Sequence, residues 1–167
     1  MNPEIKKIIW HQFGAAIDML ENAMNACPDE NWGDRIGFSE FWYIAFHALF
    51  YLDLYLSKSD KGFTPPSPFT LDEMDERGIL PDRVYTKQEL IKYLLHGREK
   101  CRSVISSLTE EQSNERCGFD WLDLSVAEVL LYNMRHVQHH AAQLNMLLSK
   151  SLGSAPRWVR KTKQELI

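Results

Sequence analysis

Several features that mark common protein classes are scarce or absent in this sequence. It has only three cysteines, Cys27, Cys101 and Cys117, an odd number with no Cys-x-x-Cys pair among them. This pattern does not suit a disulfide-rich scaffold or a cysteine-based zinc site. The charged N-terminus also has no signal-peptide pattern. We therefore expect a reduced protein in the cytoplasm.

Excess positive charge and long apolar runs are absent as well. Nineteen Lys and Arg face 23 Asp and Glu, a net charge of -4 that argues against nucleic acid as the main partner. The longest apolar stretch, Phe41–Leu56, contains Asp53 and is shorter than the roughly 20 residues of a membrane span. We therefore expect no membrane association. The short basic segment 157–163 is expected to be a solvated terminus, with an anion-binding role as the minority alternative.

A strand pattern is also missing, whereas helical periodicity is strong. Apolar residues recur every three or four positions, and Thr86–Glu89 and Ser125–Glu128 each have the spacing of a capping box. The 167 residues are long enough for one domain with a substantial core. We predict a single all-α domain, 1–167, with no sheet and with a four-helix bundle as its architecture. The predicted helices cover residues 4–26, 39–57, 87–108 and 126–150.

A long connection, Lys58–Tyr85, separates the second and third predicted helices. It holds four of the seven prolines and a short acidic patch after Thr70, where we expect one helical turn. Connections of this length are uncommon in compact domains and often cover a site. We consider a lid and a simple linker as equal alternatives. The side chains expected to hold the connection on the bundle are Phe63, Phe69, Leu71 and Met74.

Three of the six histidines fall within five positions of the last predicted helix. His136 and His140 are one helical turn apart, so their rings face the same way and can bind one metal ion. His140 lies on the apolar stripe of that helix, whereas His139 shares a line with charged residues. We predict that His136 and His140 point inward and that His139 is not a ligand.

His47 lies in the second predicted helix, which is apolar on all sides and should be buried. A buried imidazole is costly unless its ring nitrogens have partners. It is either a hydrogen-bonded core histidine or the third ligand beside His136 and His140. No Glu-x-x-His or His-Glu-x-x-His occurs, which argues against di-iron bundles and HExxH metalloproteases.

Other polar residues fall near the predicted site. Gln143, one turn beyond His140, is expected to contact a metal-binding histidine. Asp53, Tyr43 and Tyr51 are alternatives for a group that orients a ligand or acts as an acid or base. Spacing does not choose among these three.

These motifs resemble those of the DinB/YfiT-like metalloenzymes of the DinB superfamily. The resemblance covers nearly the whole chain, and it rests on Phe46-His47-Ala48-Leu49 and on the ending His136-Val-Gln-His-His140-Ala-Ala-Gln143. It implies a bundle with one divalent metal ion, commonly nickel or zinc, held by His47, His136 and His140. It also implies a homodimer. Characterised members include thiol-dependent transferases and a mycothiol-dependent maleylpyruvate isomerase.

Three histidine ligands leave coordination positions open, as in catalytic metal sites. We therefore expect a metal-dependent transferase or hydrolase that activates a thiol or water, with a small-molecule substrate such as a low-molecular-weight thiol. A non-catalytic bundle that binds a metal or small ligand under stress is the alternative. A third interpretation, that the histidines are merely packed, is disfavoured by His47, because an apolar residue would pack better there.

Overall fold

The computed structural model describes residues 1–33, 35–36 and 39–166, and these form a helical bundle. The long helices α1 and α2 lie diagonally opposite each other, and each packs against both α3 and α5. The all-helical prediction is confirmed, with five α-helices in the described residues, one of them only five residues long. They are α1 (Pro3–Ala26), α2 (Phe41–Leu56), α3 (Lys87–Ser107), α4 (Glu110–Asn114) and α5 (Val126–Leu152).

Local capping signals explain where most helices begin and end. The side chain of Asn2 accepts a hydrogen bond from the Glu4 N–H at the start of α1. Both predicted capping boxes form, at Thr86 for α3 and at Ser125 for α5. Gly153 ends α5 with a φ of 73°, a left-handed conformation that favours glycine.

Two local features differ from the prediction. Ser39–Glu40 pairs antiparallel with Arg35–Ile36 as strands β2 and β1, so the expected absence of any sheet is wrong at this point. Glu40 has the extended backbone of a residue that precedes a helix, which leaves α2 to begin at Phe41. Helix α4 is the second difference, and it is capped by Thr109 and Gln112.

Helix α2 is buried on nearly every side, as its sequence predicts. Phe46 and Phe50 are fully buried, and Leu49 is nearly so. His47 and Tyr51 lie on the one face that remains partly exposed. This face of the most apolar helix is where the histidine site is found.

The Lys58–Tyr85 connection is held on the bundle mainly by two aromatic side chains. Phe63 and Phe69 are both buried, and the ring of Phe69 stacks on Tyr93 of α3 with centroids 4.4 Å apart. A single 3-10 turn, Asp72–Met74, follows Thr70. Met74 packs on the core as predicted, but Leu71 is exposed. The anchored connection therefore has a defined position beside α2.

The C-terminal segment packs back against α1. The Thr162 N–H donates to the His11 carbonyl at 3.0 Å, and Trp10 Nε1 donates to the Gln164 carbonyl at 2.8 Å. A Cβ at Gly14 would lie 2.6 Å from Thr162 Cγ2, so this contact requires glycine. The expectation of a solvated terminus is therefore wrong for Thr162, although Trp158 is 67% exposed.

Among the helices of the described residues, none combines the length and the apolar character that crossing a bilayer requires.

Candidate metal centre

Packing of α2 against α5 brings together three histidines that are far apart in sequence. His136 Nε2 lies 3.3 Å from His47 Nε2 and 3.1 Å from His140 Nε2. One nitrogen from each ring lies within 4.8 Å of the other two. Three imidazole nitrogens that converge in this way can hold one metal ion.

The outer nitrogens of two of these rings have hydrogen-bond partners. His47 Nδ1 lies 2.7 Å from Oε2 of Glu73, whose side chain is only 3% exposed. His140 Nδ1 lies 2.7 Å from Oε1 of Gln143, the contact that the spacing predicts. Because both oxygens accept, each Nδ1 carries the proton and each Nε2 keeps its lone pair facing the centre.

The surroundings favour the neutral form of His136 and of His140. Burial lowers the pKa of His136 to about 3, with further lowering by His140 and His47. Burial and the neighbouring His47 lower the pKa of His140 to about 4, although the bond to Gln143 opposes this. Both rings are therefore neutral at pH 7, the state in which imidazole binds metals.

An open cleft of about 480 Å³ leads to the histidines, with His47 and His136 in its wall. The connection supplies part of its rim, which makes the connection more than a linker. The rest of the wall is aromatic and comes from α2, α5 and the segment before α5. The lining includes Tyr51, Tyr55, Tyr132, Trp121, Glu73, Met74, Asp75 and Glu76.

Tyrosines around the centre are held in the protonated form. Burial and the nearby Glu73 raise the pKa of Tyr51, and its hydroxyl donates to the Glu73 carbonyl at 3.2 Å. Burial also raises the pKa of Tyr43 and of Tyr55. Such phenols can donate hydrogen bonds at neutral pH but do not serve as bases.

Two other candidates lie away from the cluster. The buried carboxylate of Asp53 binds Lys100 and Tyr93 of α3 and lies 3.5 Å from Nε2 of His96, so it joins two helices and contacts none of the three clustered histidines. His139 is exposed, and its ring only neighbours that of His140. The spacing of residues in the sequence does not identify Glu73 as the partner of His47. The acidic segment of Glu73 was visible in the sequence, but nothing local linked it to His47, 26 residues away.

The residues present fit a divalent metal ion. Three nitrogen donors converge, and two of them are oriented by a carboxylate or an amide in the way common for metal-binding histidines. His136 Nδ1 is buried and has no hydrogen-bond partner among the described residues, which leaves Nε2 as its available donor. Imidazole suits zinc and nickel equally, so the donor set does not choose between them.

Comparison with known proteins gives a result at the level of the family. A family model described as the DinB superfamily matches residues 12–144. This range contains all three clustered histidines as well as Glu73 and Gln143. No curated protein and no solved structure matches the chain. Since the family model covers well over half of the sequence, the chain belongs to the DinB superfamily.

Proposed function

We propose that this protein is a metal-dependent enzyme in which His47, His136 and His140 hold one divalent ion, nickel or zinc. The observation that carries the proposal is the convergence of three Nε2 atoms at an open cleft. When bound, such an ion would supply a Lewis acid that favours the deprotonated form of a thiol or of water. Three protein ligands leave room for one of these molecules.

The chain's own residues would hold and align the reacting groups. Glu73 fixes the ring of His47, and Gln143 fixes that of His140, so the donor atoms are positioned before any ligand arrives. The neutral tyrosines line the cleft with apolar rings and exclude part of the bulk water. A cleft of about 480 Å³ suits a small molecule rather than a nucleic acid or a protein.

Thiol transfer is the reaction that we favour. A low-molecular-weight thiol releases its proton to water in the cleft, and its sulfur lone pair forms a bond to an electrophilic carbon. The carbon–halogen bond of a halogenated substrate then breaks, and halide leaves with the bonding electrons. With an ester, water would attack the carbonyl carbon, and the alcohol would leave with a proton.

The test uses protein loaded separately with zinc, nickel or manganese. Cellular thiols are assayed against halogenated aromatics and epoxides, and simple esters are assayed in parallel. We expect metal-dependent turnover that is lost in His136→Ala and kept in His139→Ala, its neighbour on the exposed flank. Turnover no higher than that of metal-free protein in every combination would instead favour a non-catalytic metal- or ligand-binding protein.

A further inference from the structure

A second cleft lies on the other side of His136, and the metal chemistry proposed above does not use it. It has a volume of about 670 Å³ and runs between α1, α5 and the C-terminal segment. We call it the α1–α5 groove. Its lining consists of Gln12, Ala16, Tyr132, Met134, Arg135, His136, Gln138, His139, Ala142 and Trp158. Tyr132 and His136 also line the first cleft, so the two clefts share a wall.

The two clefts differ in charge. The first has Glu73, Asp75 and Glu76 in its lining, whereas none of the residues that line the α1–α5 groove is acidic. The groove instead contains Arg135, which has no ion pair or hydrogen bond with any described residue. An unpaired arginine in a groove without acids attracts an anion.

The groove also has an aromatic surface. The side chain of Trp158 is 67% exposed, which is unusual for the largest apolar side chain. Its segment is held in place, because Thr162 is buried and hydrogen-bonded to His11. The exposed indole is therefore on a fixed segment beside Arg135 and His139, and it offers a flat face for stacking.

We propose that the α1–α5 groove binds a small carboxylate with a flat apolar body, such as an aromatic acid. The guanidinium of Arg135 would receive the carboxylate, since its paired N–H groups match the two oxygens. The exposed ring of Trp158 would cover the body of the ligand, and the imidazole of His139 would offer a further N–H. The ligand would lie against His136, next to the proposed metal centre.

Binding of a carboxylate in the α1–α5 groove does not require the metal, so it is tested on metal-free protein. Calorimetric titration compares 2-naphthoate with its neutral analogue 2-naphthamide and with 1-naphthyl phosphate. The variants are Arg135→Gln and Trp158→Ala, and Arg157→Gln is the matched control, because Arg157 is exposed next to Trp158 but does not line the groove. The exposed, unpartnered side chain of Arg135 can be replaced without loss of folding.

We expect 2-naphthoate to bind at least ten times more tightly than its neutral analogue 2-naphthamide, whereas tighter binding of 1-naphthyl phosphate would overturn the assignment to a carboxylate. Arg135→Gln and Trp158→Ala should each weaken 2-naphthoate binding at least tenfold, and Arg157→Gln should leave it unchanged. Equal binding of acid and amide, or equal loss in Arg157→Gln, would overturn the proposal. Absence of 2-naphthoate binding would also overturn it. If, in addition, Trp158→Ala converted a dimer into a monomer, the groove would be assigned to contact with a second copy of the chain. Zinc affinity, measured on the same variants, reports separately on the metal centre.

Discussion

At the scale of single residues, Glu73 is the group on which the geometry of the centre depends most clearly. Its buried carboxylate accepts the Nδ1 proton of His47. Loss of a partner of this kind commonly lowers metal affinity by 10- to 100-fold. We therefore expect Glu73→Ala to weaken zinc binding by a factor in that range, as measured by competition with a chromophoric chelator at pH 7.

The control for this prediction is Glu76→Ala. Glu76 lies on the rim of the same cleft, but its side chain is exposed and does not contact a histidine. An equal loss of affinity in both variants would mean that the acidic rim acts through its overall charge and not through the bond to His47.

The lowered pKa of His136 predicts how the stability of the protein depends on pH. The pKa of this ring is lowered to about 3 in the folded protein, against about 6.5 for a free histidine. Between these values the unfolded chain binds a proton that the folded chain does not, so the free energy of unfolding falls as pH falls below 6.5. For this ring the loss between pH 7 and pH 5 is at most about 2 kcal/mol.

Urea unfolding of metal-free protein at pH 7 and pH 5 measures this loss. His136→Gln keeps a polar side chain without the titrating ring, so its stability should decline less between the two pH values than that of the unmodified protein. Parallel declines would show that His136 is protonated in the folded state at pH 5.

At the scale of elements, the Lys58–Tyr85 connection couples the stability of the fold to the geometry of the metal centre. Phe69 stacks on Tyr93 and anchors the segment that carries Glu73. Replacing a buried phenylalanine by alanine typically costs about 3–5 kcal/mol. We expect Phe69→Ala to lower the unfolding free energy by roughly this amount and to reduce zinc affinity as well, because Glu73 loses its support.

Leu71→Ala provides the comparison for Phe69→Ala. Leu71 belongs to the same connection but is 45% exposed, so its loss should change stability by no more than about 0.5 kcal/mol. Chemical denaturation measures the stability of both variants, and chelator competition measures their zinc affinity. Unchanged zinc affinity in Phe69→Ala would show that Glu73 keeps its place without this anchor.

The elements also show which parts of the structure were accessible from sequence. Helix ends at Thr86, Ser125 and Gly153 follow from local hydrogen-bonding chemistry, and the His136–His140 pair follows from helical spacing. The contact of Glu73 with His47 and the hydrogen bond of Thr162 to α1 instead join segments that are distant in sequence. Such contacts leave no periodic signal, so the carboxylate that supports His47 does not follow from the sequence. His47 itself joins the pair in the prediction only through its place in an apolar helix and through the family resemblance.

At the scale of the whole molecule, the homodimer remains a prediction of the family resemblance. An aromatic content of 11% would also suit an interface, but most of these rings pack in the core. Trp121 and Trp158 are the large aromatic side chains that stay well exposed among the described residues. We expect sedimentation equilibrium at micromolar concentration to give about twice the chain mass of 19.5 kDa. A mass equal to that of one chain would contradict the dimer.

The central claim is that three histidines from two helices form one metal site. Its most direct test is elemental analysis after equilibrium dialysis of tag-free protein against zinc or nickel. We expect one ion per chain in the unmodified protein and in His139→Ala, and no stoichiometric ion in His47→Ala. Absence of metal from the unmodified protein, or an equal loss in His139→Ala and His47→Ala, would contradict it.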